Sequence, residues 1–236
     1  MAANCLGRWA AALVATVVLG SGCAHGQPGA RDGTLRIYLA RHGQTDWNAE
    51  SRLQGWVDTH LNATGREQAV RLGERLEGIR FDAVYSSALA RSRETAEIVH
   101  GAVPIDSLPG LNERRLGKYE GVVVGGPASD SATVAEFNRR VRDPGDALDG
   151  GETLEHFYER VRATVEEIRR RHRVGTILIV AHGGTNQMVL RALLGLTAGQ
   201  ASNISQANDE LYLIEVSGGR PPALWKLITE KNLGDL

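Results

Sequence analysis

Two short stretches of the 236-residue chain mirror each other, Leu39-Ala40-Arg41-His42-Gly43 and Val180-Ala181-His182-Gly183-Gly184. Each sets a histidine and then a glycine at the end of an apolar run. Such a run reads as a strand, and in an open α/β sheet ligands collect beyond the carboxyl ends of the strands. Glycine at that edge lets the backbone come close to a ligand, and helix N-termini there offer N–H groups and positive dipole to an anion. Arg41 stands beside His42, and Arg91 falls at the start of a predicted helix. Two arginines and two histidines at one edge form a receptor for a doubly charged tetrahedral anion, because the guanidinium fork matches phosphate geometry. No carboxylate stands at ligand spacing from either histidine, so the sequence predicts neither a metal centre nor a bound cofactor.

The elements that must position these residues follow from periodicity. Residues 35–40 read as a strand. Residues 64–79 read as a helix with Ala69, Leu72, Leu76 and Ile79 on one face, capped by Asn62 or by a capping box of Thr64 with Glu67. A strand over 81–86, a helix over 91–100 and a short strand over 105–108 come next. Residues 122–151 are irregular, with Gly125-Gly126-Pro127, Asp143-Pro144-Gly145 and a short helix over 134–141. Residues 153–171 form the strongest helix, with Leu154, Phe157, Val161, Val165 and Ile168 on one face. The unbroken apolar run 176–181 suits a central parallel strand buried on both faces. A helix over 185–194, stopped by Gly195, and a strand over 211–216 complete the pattern. Alternating strands and helices imply a doubly wound α/β sheet, and the length suits a single domain.

Composition narrows the partner. Hydrophobic residues make up 42% and charged residues 23%, with a formal net charge of -1. That is an ordinary globular balance with no basic field for nucleic acid. The cluster Arg169-Arg170-Arg171 reads as a solvated helix end, where cations suit the dipole. Both cysteines, Cys5 and Cys23, lie in the first 23 residues, so the body has no disulfide framework. Arg8 is followed by an apolar stretch over 9–19, too short to span a bilayer, and then by small residues, as in a secretory signal. Gly20-Ser21-Gly22-Cys23 resembles a bacterial lipobox, although Leu19 sits one place too early. That resemblance implies cleavage before Cys23, lipidation of its thiol and an exported lipoprotein that meets the membrane through this anchor alone. Plain secretion is the alternative. The expected organisation is a signal over 1–23, a flexible tether over 24–33 and one domain over 34–236.

Arg41-His42-Gly43-Gln44-Thr45 with Trp47-Asn48 resembles the signature of the histidine phosphatase superfamily, which includes the phosphoglycerate mutases. Leu53-Gln54-Gly55-Trp56-Val57-Asp58 and Leu61-Asn62-Ala63-Thr64-Gly65 resemble its next segment. Ser86-Ser87-Ala88-Leu89-Ala90-Arg91 resembles its second arginine motif. Leu111-Asn112-Glu113 with Gly117 and Glu120-Gly121 resembles its glutamate motif, and Val180-Ala181-His182-Gly183-Gly184 its second histidine motif. The five motifs occur in the family's order over 35–216.

The resemblance implies a three-layer α/β fold, a mostly parallel sheet flanked by helices, with 122–151 forming part of a lid. It implies that His42 becomes phosphorylated, that Arg41, Arg91 and His182 bind the phosphoryl oxygens, and that Glu113 is the general acid and base. Asn48, Gln54, Gly55 and Gly183 would line the substrate pocket. The substrate would be a small phosphate monoester. Neutral imidazole suits the attack because it adds no charge and is largely unprotonated at pH 7. Its other nitrogen must be held by a hydrogen bond, which a nearby backbone carbonyl can accept. The 69 positions from Glu113 to His182 and the Glu113–Gly121 segment resemble the phosphatase branch more than the mutase branch. A phosphoglycerate mutase and a non-catalytic phosphate- or partner-binding module are the alternatives. Arg139, Arg140 and Arg142 read either as a second anion site in the lid or as a solvated helix face.

Overall fold

The computed structural model describes residues 33–101 and 103–227. The expected signal, Cys23 and all of the tether but Gly33 lie outside the described residues. Among the described residues six strands form one sheet: β1 (Thr34–Arg41), β2 (Ala83–Ser87), β3 (Ile105–Leu108), β4 (Gly175–Ala181), β5 (Leu211–Ser217) and β6 (Ala223–Leu227). Their order is β3-β2-β4-β1-β5-β6. The first four strands in that order are mutually parallel; β5 runs antiparallel to β1, and β6 antiparallel to β5.

The described residues also form seven α-helices: α1 (Asp46–Ala49), α2 (Ala63–Arg75), α3 (Ala90–His100), α4 (Ser131–Arg140), α5 (Leu154–Arg171), α6 (Gly183–Leu194) and α7 (Ala198–Ser202). Strand alternation sorts the core into two halves. Leu35, Ile37 and Leu39 of β1, with Ile177 and Ile179 of β4, pack against Phe157, Val161, Val165 and Ile168 of α5 and Val189, Leu190 and Leu193 of α6. Ala40, Leu178, Val180 and Val84 face the other way, onto Ala69 and Leu72 of α2 and Ala96 and Val99 of α3. The sheet is thus sandwiched, in the three layers expected. β4 is apolar throughout because both its faces are covered. Each fully buried side chain on the α5 face contributes roughly 1.5–3 kcal/mol, so one charged residue at Val161 would undo much of that helix's attachment.

The helix ends differ slightly from those read in the sequence. Asn62, rather than a Thr64–Glu67 box, caps α2, its side chain accepting from the Gly65 N–H at 2.9 Å. That helix stops at Arg75 instead of running to residue 79, and the chain passes through Gly78 at φ +80°. Thr153 caps α5, and Gly195 ends α6 in the left-handed conformation at φ 66°. Three short elements, α1, α7 and β6, have too few residues to show a period. Residues 122–151 hold their own small core, Phe137 and Leu148 packed with Tyr119.

Candidate active site

The strand register brings the two histidines together. β1 and β4 are parallel neighbours with Arg41 paired to Ala181, and the His42 N–H donates to the Ala181 carbonyl at 2.9 Å. His42 and His182 therefore leave the sheet side by side, their ring centroids 5.1 Å apart and both rings buried.

Each ring is held in one tautomer. His42 Nδ1 lies 2.8 Å from the Gly43 carbonyl. A carbonyl oxygen only accepts, so Nδ1 carries the proton and Nε2 keeps its lone pair. Burial, with Arg91 and Arg41 beside it, holds this imidazole well below the usual histidine pKa, hence neutral. His182 Nε2 lies 2.7 Å from Ser87 Oγ, which itself accepts from the Leu89 N–H. Among the described residues His182 Nε2 is the one acceptor within reach of the Ser87 hydroxyl proton, so the hydroxyl donates to Nε2 and the proton of His182 is assigned to Nδ1. Burial and the same two arginines, together with His42, also keep His182 neutral.

Arg91, in the first turn of α3, donates to the Val57 and Gly55 carbonyls at 2.9 and 2.8 Å. Burial lowers its pKa to about 10, which leaves it cationic at neutral pH. Arg41 donates to the Gln206 carbonyl at 2.8 Å. Among the described residues three buried side-chain N–H groups have no partner in the protein: Arg41 Nε, Arg91 Nε and His182 Nδ1. An unsatisfied buried donor costs about 1–3 kcal/mol, so three around one imidazole mark a binding site for an anion rather than a packing accident.

Glu113 sits at the N-terminus of α6. Its carboxylate accepts from the Gly184 N–H at 3.0 Å and from the Arg114 N–H at 2.9 Å. A Cβ on Gly184 would come within 2.6 Å of that carboxylate, so any larger residue there would displace the Glu113 carboxylate. Gly43 is constrained by backbone: a Cβ would lie 2.3 Å from the Gly65 carbonyl, against the start of α2, so only glycine fits there.

Arg41, His42, Arg91, Glu113, Asn48 and Gln54 share the wall of one cavity of about 790 Å³, together with Gly55 and Gly183. His182 lies behind that wall, against His42. Gln54 Oε1 accepts from Thr45 and Thr59, and Asn48 Oδ1 from Thr45. The Gly55 carbonyl is used to hold Arg91. Of Arg139, Arg140 and Arg142, Arg142 reaches the cavity and Arg139 does not. Arg140 is engaged elsewhere, bonded to Asp146 and Asp149 at 2.7 and 2.8 Å. A second cavity of about 620 Å³ opens at the opposite sheet edge beside Gly33, Arg169 and Arg170; it has no paired histidines.

Several supporting residues escaped the sequence reading. Asn186 donates to the Ala40 carbonyl, Gln206 to the Leu39 carbonyl, and Asn208 to the carbonyl of His42 itself. Gln206 and Asn208 lie in an irregular loop before β5, where no period singles them out. Arg160 of α5 donates to the carbonyls of Gly110, Asn112 and Glu113. It carried a weak signal, falling eight residues after Glu152, its ion-pair partner at 2.7 Å.

The arrangement presents an uncharged nitrogen nucleophile inside a cationic, donor-rich pocket with one carboxylate at its mouth. That set can receive a phosphoryl group and move a proton beside it.

The chain is similar to known proteins. The model of the histidine phosphatase superfamily (branch 1) matches residues 37–227. Phosphoglycerate mutase-like protein 4 of Arabidopsis thaliana is 36% identical over 161 residues, 66% of this chain and 68% of that protein. A mycobacterial glucosyl-3-phosphoglycerate phosphatase solved with VO3 superposes with a TM-score of 0.70 at 28% identity, covering 83% of this chain and 97% of the other. The α-ribazole phosphatase of Shigella flexneri superposes with a TM-score of 0.70 at 26% identity, covering 84% and 100%.

Proposed function

The chain belongs to the histidine phosphatase superfamily, and from that premise we propose that it hydrolyses small phosphate monoesters through a phosphohistidine on His42. The Nε2 lone pair attacks phosphorus, and the ester P–O bond breaks as the Glu113 carboxyl gives its proton to the departing oxygen. Arg41, Arg91 and the Nδ1–H of His182 meet the equatorial oxygens, where charge spreads in the transition state. Water then attacks the phosphohistidine, Glu113 takes its proton, and the P–N bond returns its electrons to Nε2. The observation that carries this reading is the set of three unpartnered buried N–H groups beside a histidine whose Nε2 lone pair is free.

Two solved relatives are named as phosphatases of small phosphorylated molecules, a glucosyl-phosphoglycerate and α-ribazole phosphate. A mutase shares the first half-reaction and differs only in returning the phosphoryl group to its substrate. Rapid acid-free quenching after mixing with a radiolabelled monoester should trap an acid-labile, alkali-stable adduct, absent in His42→Ala. Phosphate release should far exceed interconversion of 2- and 3-phosphoglycerate. An adduct on another residue, or full turnover by His42→Ala, would overturn the mechanism; interconversion faster than release would replace the phosphatase with a mutase. Binding of phosphate without turnover would leave the non-catalytic module.

We further propose export with a lipid anchor on Cys23, from the apolar run over 9–19 and the lipobox-like Gly20-Ser21-Gly22-Cys23. The full chain should fractionate with membranes and Cys23→Ala should not; a soluble wild type whose mature chain starts beyond Cys23 would refute it.

A further inference from the structure

The cavity extends beyond the phosphoryl pocket, and its charge does not balance. Its wall carries six arginines, Arg41, Arg52, Arg91, Arg114, Arg142 and Arg191, against a single carboxylate, Glu113. Four of the six have their work assigned. Arg41 and Arg91 serve the phosphoryl group. Arg52 is paired with Glu50 at 2.8 Å and donates to the Gly121 carbonyl. Arg114 donates to the carbonyls of Val141, Asp146 and Glu152.

Arg142 and Arg191 remain. Among the described residues neither guanidinium makes a hydrogen bond or a salt bridge. Arg142 is exposed, in the segment that follows α4. Arg191 lines the same cavity from α6, eight residues after the Gly183 that opens that helix. Eight residues correspond to about 12 Å of helix, and helical side chains lean back toward the N-terminus, so its head group falls several bonds from the phosphoryl site. The Arg191 guanidinium is stacked 3.7 Å from the centroid of the Tyr158 ring. Stacking fixes the plane of the fork and leaves its N–H edge free to donate. Glu159, a carboxylate on which Arg191 acts, is already bonded to Arg162 at 2.6 Å.

A dianionic phosphoryl group offsets Arg41 and Arg91 only. We propose that Arg142 and Arg191 form a second anion subsite, and that the substrate is a phosphate monoester whose alcohol part carries a further carboxylate or phosphate several bonds from the scissile phosphorus. The inference rests on the phosphatase reading above and narrows its substrate class.

The test compares matched pairs of substrates: alkanediol bisphosphates and ω-carboxyalkyl phosphates of increasing length, each against the uncharged alkyl phosphate of the same length. The wild-type enzyme should show a kcat/KM preference of at least about tenfold for the charged member at one spacer length, the scale of one charge-assisted hydrogen bond. Whether the carboxylate or the bisphosphate series shows it identifies the second group. Arg142→Ala and Arg191→Ala should each shrink the ratio, while Arg139→Ala, outside the cavity, keeps it. Titration of the same pairs into His42→Ala protein reads the subsite by affinity, without turnover. Release of phosphate from the uncharged esters tests the parent reading separately. Equal kcat/KM and equal affinity for charged and uncharged members at every length, or a preference that survives both substitutions, would overturn the subsite.

Discussion

Ser87 and His182 share a buried hydrogen bond, hydroxyl to Nε2 at 2.7 Å, and that bond decides which ring nitrogen of His182 carries the proton. With the serine hydroxyl donating to the Nε2 lone pair, Nδ1 carries the ring proton, and Nδ1 is one of the three unpartnered buried N–H groups beside His42. The serine contributes without touching substrate.

Replacing Ser87 by Ala should therefore lower kcat about 10- to 100-fold, the scale seen when the outer partner of a functional imidazole is removed. Nothing then prevents the tautomer whose Nδ1 lone pair opposes the anion. Nitrogen NMR of His182 should show a mixture of tautomers in the variant and one in the wild type. A variant with wild-type turnover would show that Ser87 only fills space.

Acid should destabilise the fold through the same two rings. His42 and His182 both have folded-state pKa values well below the usual 6.5, chiefly from burial and then from Arg91. Below pH 6.5 the unfolded chain takes up protons that the folded state refuses, so stability is full above 6.5 and falls as the pH drops toward the folded values. Each ring contributes up to about 1.4 kcal/mol per pH unit in that window. Urea unfolding between pH 7 and 5 should show this slope, and His42→Asn with His182→Asn should flatten it. An unchanged slope in the double variant would assign the acid sensitivity to other groups.

The same burial separates what was legible in the sequence from what was not. The apolar runs that make β1 and β4 central strands also announce His42 and His182 at their ends, and motif order carried Arg41, Arg91 and Glu113. The α5 face was readable because Phe157, Val161, Val165 and Ile168 keep a helical period over eighteen residues. Arg140 was not: its guanidinium is taken by Asp146 and Asp149, nearby in sequence but brought to it only by the turn after α4. Gln206 and Asn208 hold Arg41 and His42 through backbone carbonyls, and a contact to a carbonyl leaves no mark on the residue type it touches.

Glu113→Gln should separate substrates by leaving group. The Arg114 and Gly184 N–H groups each bond a different carboxylate oxygen, so the single oxygen of the amide keeps one of the two bonds, and the amide cannot supply a proton. Alkyl phosphates, whose alkoxides need that proton, should slow by about 10²–10⁴, and aryl esters with acidic leaving groups far less. Steady-state kinetics on a graded series of leaving groups should give a steeper dependence in the variant. Parallel dependences would remove Glu113 from the acid role.

Arg160 supplies the last test, because it reaches Glu113 only through the backbone. Its guanidinium meets both oxygens of Glu152 at 2.9 and 2.7 Å and donates to the carbonyls of Gly110, Asn112 and Glu113 at 3.0, 3.0 and 3.2 Å. One planar fork thereby ties α5 to the loop that carries the acid, and the indole N–H of Trp56 donates to the same Glu113 carbonyl at 2.5 Å. Lysine keeps the charge but is a point donor without the fork, so it cannot span these carbonyls together. Arg160→Lys should lower kcat on alkyl phosphates about tenfold or more, since small displacements of a catalytic group carry large rate costs, and should lower it less on activated aryl esters. Combined with Glu113→Gln, the lysine change should add little, because both act on one proton transfer. Thermal unfolding measured alongside reports any general loss of packing. Equal losses on both ester classes, or additive effects with Glu113→Gln, would reduce Arg160 to a structural tie.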